Sequence, residues 1–240
     1  MNPVSPEVLK AFAPTGKLRA AINQGNSVLA QKGPNGTCLG ITADLSRELA
    51  RRLGVPVEFT VFDGAGKAFD ALKSGAHDIG FLAIEPVRAA EVEFTPPYVL
   101  IEGTYMVPKD SALKTVEDVD KPGIRIGVNK GSAYDLFLTR SLEAATLMRG
   151  DDGVGLFKTE KLEACGGVRQ PLVAYAKTDP SVRVMEGRFM AIQQAMGMPK
   201  GRDAATATLR AFVEEMKASG FVADALKRSN QPDAQVAPPG

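Results

Sequence analysis

Short apolar strands alternate with amphipathic helices along both halves of this 240-residue chain, and that alternation constrains the fold more than any other feature. Strands joined by helices form mainly parallel sheets with right-handed crossovers. We therefore predict an α/β fold in which the second half repeats the architecture of the first. The predicted strands cover residues 18–22, 57–61, 78–83, 100–107, 124–128, 145–148 and 168–175, with a returning segment near 190–198.

The helix predicted to begin near Thr42 has the clearest sequence pattern of the predicted helices. Leu45, Leu49 and Leu53 recur at helical spacing on one face, and Gly54 provides a stop. The Pro- and Ala-rich tail from Gln231 is predicted to be loose. The remaining helices are predicted over residues 69–74, from Ala133 through Phe137, up to the glycine pair at 166–167, and over 204–217.

Composition excludes several functional classes. The chain has 29 basic and 28 acidic residues and a net charge of +1, with no basic stripe for nucleic acid. Its apolar runs fall far short of the roughly 20 residues that a membrane-spanning helix needs. Cys38 and Cys165 form neither a CxxC pair nor a metal cluster, so we predict two buried thiols in different lobes, no metal and no cofactor.

Residues 79–98 carry the strongest functional signal. An apolar strand ends in a turn with a single arginine, Arg88, and the chain then continues into a Phe-Thr-Pro-Pro-Tyr segment that ends at Tyr98. A guanidinium offers a fixed fork of donors that matches a carboxylate bidentately and does not lose its charge. We predict that Arg88 binds a carboxylate from a solvated position. The alternative is a surface cation that caps a helix.

Four motifs in this order resemble the type II periplasmic solute-binding proteins of ABC transporters, in the polar amino acid-binding branch (bacterial extracellular solute-binding protein family 3). The resemblance spans roughly residues 16–229. It implies a two-lobed α/β clamshell with the ligand cleft between lobe I (1–101 plus 193–240) and lobe II (102–192). The motifs are GITADL at 40–45, the segment from Leu72 to Asp78, the segment from Arg88 to Tyr98, and GVNKGS at 127–132.

The resemblance also implies how such a protein works. It would close on its ligand by hinging near Ile101 and Ile192 and deliver the ligand to a membrane ABC transporter permease. We expect a monomer. The chain shows no basic segment followed by an apolar one at its start, so either a signal sequence has been removed or the protein stays inside the cell. The resemblance implies the periplasm.

The family pattern assigns ligand contacts to particular residues. Arg88 would hold the carboxylate, with help from the strand before it and from the start of a helix in the second lobe. Turn formation is an equal alternative for the two asparagines among these residues. The implied contacts beside Arg88 are Asn23, Asn26, Phe81, Leu82, Ala83, Ser132, Ala133 and Tyr134.

Departures from the family pattern bear on the ligand. Amino acid-binding members carry an aspartate on a late strand that pairs with the α-ammonium. In this sequence Gln170 and Tyr175 fall at the acidic positions of the predicted strand 168–175. A buried ammonium without a counter-carboxylate is costly. Gly64 and Ala65 also replace an aromatic platform. We expect a small carboxylate ligand, either amino acid-like or a desamino organic acid.

An enzyme and a ligand-sensing domain are the alternatives to a binding protein. The one histidine, His77, lies about five residues, or roughly 16 Å at strand rise, from Leu82, so it is out of reach of the site. The same fold resembles cyclohexadienyl dehydratases, which need a buried acid. Glu85 is the one candidate, and its alternative is a solvated turn residue. We expect a binding protein without catalytic residues.

Overall fold

The computed structural model describes residues 4–240 and confirms the α/β class. The chain divides into two compact units, Met1–Leu100 with Gln193–Gly240 and Ile101–Ile192. The helices are α1 (Pro6–Phe12), α2 (Ile41–Leu53), α3 (Ala65–Lys73), α4 (Pro86–Ala89), α5 (Ala133–Ser141), α6 (Gly153–Thr159), α7 (Arg169–Thr178), α8 (Asp203–Ala218) and α9 (Phe221–Arg228). The strands are β1 (Leu18–Asn23), β2 (Gln31–Lys32), β3 (Cys38–Leu39), β4 (Val57–Phe62), β5 (Ile79–Ala83), β6 (Val92–Pro108), β7 (Arg125–Asn129), β8 (Thr146–Gly150), β9 (Ala164–Val168), β10 (Val182–Val184), β11 (Met190–Pro199) and β12 (Gln235–Val236).

The first unit is built around β1, which pairs in parallel with β4 on one side and with β5 on the other. Asn23, the last residue of β1, lies opposite Phe62, the last residue of β4. β5 pairs antiparallel with the part of β11 from Gln194 to Gly197. The parallel strands therefore end together at one edge of the sheet, where the loops that follow them meet.

Helix α2 forms as its sequence predicts. Leu45, Leu49 and Leu53 are buried on one face, and Gly54 ends the helix in a left-handed conformation with φ 70°. The helix begins after Gly40, which has φ 98° and whose added Cβ would lie 2.5 Å from the Leu29 carbonyl oxygen. A glycine is therefore required at this N-cap.

The second unit repeats the arrangement around β7, which pairs in parallel with β8 and β9. β9 and β10 each pair antiparallel with the second half of β6. Each unit thus combines three parallel strands from its β-α-β-α-β segment with antiparallel strands from outside that segment. Cys38 in the first unit and Cys165 in the second are buried free thiols, as predicted.

The predicted strand over residues 168–175 is wrong, because this segment is helix α7. Leu172, Tyr175 and Ala176 follow helical spacing and pack against the core of the second unit. The glycine pair at 166–167 does not end a helix; it lies in the buried strand β9, where an added Cβ on Gly167 would meet the Leu172 side chain at 3.2 Å. α6 ends earlier, at Thr159.

The prediction of a loose tail is also wrong. β12 pairs antiparallel with β6 at Val99 and Leu100. The Ala237 amide then donates to the Tyr98 carbonyl at 3.0 Å, and the Lys217 ammonium donates to the Pro238 carbonyl at 2.8 Å. The tail is held by hydrogen bonds to its backbone, which its composition does not reveal.

Candidate ligand-binding residues

Arg88 lies on α4, the single short helix that follows β5. Glu85 is the N-cap of α4 and Pro86 opens its first turn, where a missing amide hydrogen costs nothing. The Arg88 side chain is 1% exposed, and its Nη1 donates to the Ala83 carbonyl at 3.1 Å. The arginine is therefore folded back against the end of the strand that precedes it.

The expectation of a solvated Arg88 is wrong. Burial lowers the pKa of its guanidinium to about 10, while the negative charge of Glu85 acts in the opposite direction. Arg88 stays charged at neutral pH, so a buried cation is present in the first unit. Burial also argues against the alternative of a surface capping residue.

Glu85 is buried as well, with 2% of its surface exposed. Its backbone carbonyl accepts the amides of Arg88 and Ala89 at 3.0 and 2.9 Å. The alternative of a solvated turn residue is therefore wrong for Glu85. A buried carboxylate and a buried guanidinium stand three residues apart in the same helical turn.

The three predicted residues of β5 are all buried. Leu82 belongs to a hydrophobic cluster with Leu72 and Val92. The Phe81 ring meets the Tyr98 ring edge-on, with centroids 6.1 Å apart. The Ala83 carbonyl accepts from Arg88. Of these three residues, Ala83 is the one that forms a hydrogen bond with Arg88.

Asn23 and Asn26 both hold the turn that follows β1. The Asn23 Oδ1 accepts the Gly25 amide at 2.9 Å, and the Asn26 Oδ1 accepts the Val28 amide at 3.3 Å. These are local Asx-type hydrogen bonds of a turn. Both asparagine side chains thus stabilise the turn. Their contact with a ligand stays a prediction.

An open pocket of about 600 Å³ lies beside this turn in the first unit. It occupies the shared carboxyl-terminal edge of β1 and β4, and the sequence prediction missed most of its lining. The Asp63 carboxylate pairs with Lys67 at 2.8 Å, a spacing of four residues that could have drawn attention to both. The lining residues are Gln24, Gly25, Val61, Phe62, Asp63 and Lys67.

Ser132, Ala133 and Tyr134 begin α5 in the second unit. Ser132 is the N-cap, and its Oγ accepts the Asp135 amide at 3.1 Å. The Asp135 carboxylate accepts the Gly131 amide at 2.8 Å and pairs with Arg149 at 2.8 Å. Burial raises the pKa of the Tyr134 hydroxyl. This helix start already holds a carboxylate of its own chain.

Gln170 and Tyr175 lie on α7 rather than on a strand, so they do not alternate along one sheet face. The Tyr175 hydroxyl donates to the Asp179 carboxylate at 3.2 Å. The Gln170 Oε1 is buried and, among residues 4–240, has no hydrogen-bond partner. Arg169, which the sequence prediction did not consider, pairs with Glu102 at 2.8 Å.

Three further observations bear on other functions. The His77 ring meets the Phe62 ring edge-on at 5.6 Å, and burial lowers the pKa of His77. Within residues 4–240, no three His, Cys, Asp or Glu side chains lie together as a metal site would require. Over the same residues, no helix combines the length and the apolar character needed to cross a membrane.

The sequence matches the family model of bacterial extracellular solute-binding proteins, family 3, over residues 18–229. The chain belongs to this family. It is thus a solute-binding receptor of the kind that serves ABC transporters, as the motifs around Arg88 predicted.

Individual relatives of this family 3 protein differ in activity. The chain is 20% identical to the L-cystine-binding protein of Escherichia coli over 229 residues, which cover 88% of this chain and 85% of the relative. It is 26% identical to the cyclohexadienyl dehydratase of Pseudomonas aeruginosa over 153 residues, 60% of this chain and 55% of that enzyme. The solute receptor for L-cysteine of Neisseria gonorrhoeae has the same fold, with 24% identity, a TM-score of 0.80 and coverage of 93% and 94%.

Proposed function

We propose that this family 3 protein captures a small carboxylate-bearing solute with Arg88 and delivers it to a membrane ABC permease. The observation that carries the proposal is the buried Arg88 guanidinium at the end of β5. A guanidinium in a site of low dielectric forms strong, charge-assisted bidentate bonds with a carboxylate. Membership of an extracellular family supports action outside the cytoplasm, in the periplasm.

The other predicted contacts take secondary roles in this proposal. Asn23 and Asn26 would shape the loop after β1, with their amide NH₂ groups left to donate. Ser132, Ala133 and Tyr134 would contribute from the start of α5. Hinge closure on the ligand and a monomeric state stay predictions of the family resemblance.

Calorimetric titration of Arg88 variants tests the proposal. The probes are propionate, 3-phenylpropionate and glutarate, their 2-amino and 2-hydroxy derivatives, and the matching primary amides. Arg88→Ala should weaken carboxylate binding by about 2–5 kcal/mol, or roughly 30- to several thousand-fold in Kd. Arg88→Lys should restore binding only in part, because an ammonium lacks the planar fork.

Thermal melts are needed beside the titrations because Arg88 is buried. We expect Arg88→Ala to melt at a lower temperature than the parent, and Arg88→Met, which keeps more of the volume, to lose less. Arg51→Ala is the matched control, since its side chain is 70% exposed in the same unit. A folded Arg88→Met that binds carboxylates with the parent affinity, or a parent that prefers the amides, would exclude the proposed site.

A dehydratase-like enzyme is the second candidate, and one observation favours it. Glu85 is a buried acid within one helical turn of Arg88, as an acid catalyst for elimination would need to be. We expect no aromatic product from prephenate or arogenate, because the one histidine of the sequence, His77, lies at the amino end of β5, opposite the end that leads to Glu85. If the parent protein forms product and Glu85→Gln does not, the dehydratase becomes the favoured function and the binding protein the second candidate. Turnover that survives the substitution would indicate a contaminant.

A further inference from the structure

The pocket of the first unit lies on the same edge of the sheet as the Arg88 guanidinium. β1 stands between β4 and β5 and is parallel to both. Its pairing with β4 places Asn23 opposite Phe62, and the Gln24 amide donates to the Phe62 carbonyl at 2.8 Å. The register of β1 and β5, continued to the end of β5, places Gln24 opposite Ala83. The ends of the three strands therefore form one row along this edge.

This row determines the distance between the guanidinium and the pocket. The Arg88 Nη1 donates to the Ala83 carbonyl at the end of β5, whereas the pocket of about 600 Å³ lies at the ends of β1 and β4. Neighbouring strands are about 4.8 Å apart, so β4 and β5, on either side of β1, are separated by about 10 Å. A ligand whose carboxylate contacts Arg88 therefore reaches the pocket at the end of β4 if its chain spans about 10 Å.

The two charged side chains of the pocket neutralise each other. The two oxygens of the Asp63 carboxylate lie 2.8 and 2.9 Å from the Lys67 Nζ, and this hydrogen bond holds the pKa of Asp63 below its usual value. Both side chains are exposed, so a ligand in the pocket can contact them. The lining also includes Gln24 and the apolar residues Val61 and Phe62.

A ligand end with a net charge would have to compete for one member of this ion pair, because each charge already has a partner. A neutral group that both donates and accepts can bond to the carboxylate and to the ammonium at once and leave their contact in place. A primary amide is such a group, since its NH₂ donates and its carbonyl accepts. The apolar residues of the lining suit an apolar chain between the two ends of the ligand.

We propose that the ligand is an elongated carboxylate, with its carboxylate on Arg88 and an amide-like neutral group about 10 Å away, between Asp63 and Lys67. This inference rests on the proposed capture of a carboxylate by Arg88 and adds the length and the far end of the ligand. Val61 and Phe62 contact the apolar chain that joins the two ends.

Calorimetric titration with the monoamides of succinate, adipate and suberate tests the length of the ligand. Each monoamide has one carboxylate and one primary amide, and the extended suberate chain matches the span of the row. The suberate monoamide should bind about 10-fold or more tighter than the succinate monoamide, because the shorter chain leaves its amide outside the pocket. Equal binding of the three monoamides would overturn the assigned length.

Three further probes of the same chain length test the neutral end. These are octanoate, ω-aminooctanoate and suberate, in which the far end is apolar, cationic or anionic. The suberate monoamide should bind about 5-fold or more tighter than each of them. Tighter binding of any of the three would overturn the assignment of a neutral donor and acceptor.

Variants of the ion pair test its role in the pocket. Lys67→Met leaves the Asp63 carboxylate to the ligand, so ω-aminooctanoate should gain about 5-fold or more relative to the suberate monoamide. Asp63→Asn leaves the ammonium and should favour suberate. Lys73→Met is the matched control, because Lys73 is an exposed lysine of the same helix that pairs with Asp70 at 3.0 Å outside the pocket. An unchanged preference in both pocket variants would overturn the role of the ion pair.

The outcomes distinguish this inference from the proposed function. Val61→Trp fills the pocket and should weaken binding of the suberate monoamide by about 5-fold or more, whereas Val236→Trp, at an exposed valine of β12, should not. Equal effects of these two changes contradict the inference. If Arg88→Met abolishes binding of monoamides that bind the parent equally at every length, the inference fails and the proposed function stands. If Arg88→Met binds the suberate monoamide with the parent affinity, both proposals fail.

Discussion

In each of the two units, an ion pair between an arginine and a carboxylate joins the amino ends of two neighbouring parallel strands. The two ion pairs lie at equivalent positions. In the first unit, Arg19 of β1 faces Asp78, which directly precedes β5: the Arg19 amide and Nε both donate to the Asp78 Oδ2, at 3.0 and 2.9 Å. In the second unit, the Arg125 amide and Nε of β7 donate to the Glu163 Oε2, at 2.8 and 2.9 Å. Each pair fixes the amino ends of two neighbouring parallel strands.

The pairs differ in burial and in the number of partners. The Asp78 side chain is fully buried and also accepts from Arg202 at 3.0 Å, whereas the Glu163 side chain is 34% exposed and has Arg125 as its one ion-pair partner among the described residues. Loss of a partner from a buried ion pair strongly destabilises a protein, because it leaves a buried charge without compensation. The attraction within a half-exposed pair is screened by water and contributes little to stability. The first unit therefore depends on its ion pair more than the second does.

The opposite ends of the same strands carry the candidate ligand contacts. Asn23 is the last residue of β1 and Arg88 follows β5, while Ser132 and Gln170 follow the equivalent ends of β7 and β9. The third strand thus leads to a buried cation in the first unit and to a neutral amide acceptor in the second.

Removal of the acid in each pair should give the largest effect. Asp78→Asn removes the carboxylate that pairs with both Arg19 and Arg202 and should lower the free energy of unfolding by about 3–5 kcal/mol. Glu163→Gln, the matched change in the second unit, should cost about 1 kcal/mol or less. Urea denaturation followed by circular dichroism measures both losses. Hydrogen exchange of β1 and β5 against β7 and β9 shows in which unit each loss falls, and equal losses would remove the distinction.

Removal of the additional cation should give an intermediate effect. Arg202 bonds to Asp78 and donates to the Ala11 carbonyl at 2.9 Å, so it links the end of α1 to the buried acid. Arg202→Met keeps the Arg19–Asp78 pair and should cost about 1–3 kcal/mol, with faster hydrogen exchange in α1. Arg183→Met, in the second unit, is a control that breaks arginine bonds to carbonyls only. A loss as large as that of Asp78→Asn would show that Arg202, and not Arg19, is the main partner.

Sequence predicted what depends on local periodicity and missed what depends on distant contacts. α2 could be predicted because Leu45, Leu49 and Leu53 recur at helical spacing before a glycine. α7 was missed because an apolar segment that contains Pro171 is typical of a short edge strand as much as of a first helical turn. The fold class followed from the order of the elements, which a single misassigned segment does not change.

The candidate site shows the same division. The motif placed Arg88 after β5, but not its burial, because burial depends on how the whole unit packs. The Arg169–Glu102 pair joins residues 67 positions apart and has no local signal. The unpartnered Gln170 Oε1 is equally invisible in the sequence, since only the folded environment decides which amide lacks a donor.

A change of pH should give the smallest effect and provide the most specific test of the second ion pair. The Arg125 guanidinium holds the pKa of Glu163 below its usual value. A carboxyl group whose pKa is lowered on folding contributes stability above its unfolded pKa of about 4.3, and loses that contribution as the pH falls through its folded pKa. The stability difference between the parent and Glu163→Gln should therefore be constant near neutral pH and shrink in acid. Urea denaturation of both proteins over this pH range measures the difference. A difference that grows in acid would mean that the Glu163 charge opposes folding, and one that does not change would assign its effect to hydrogen bonds that glutamine also forms.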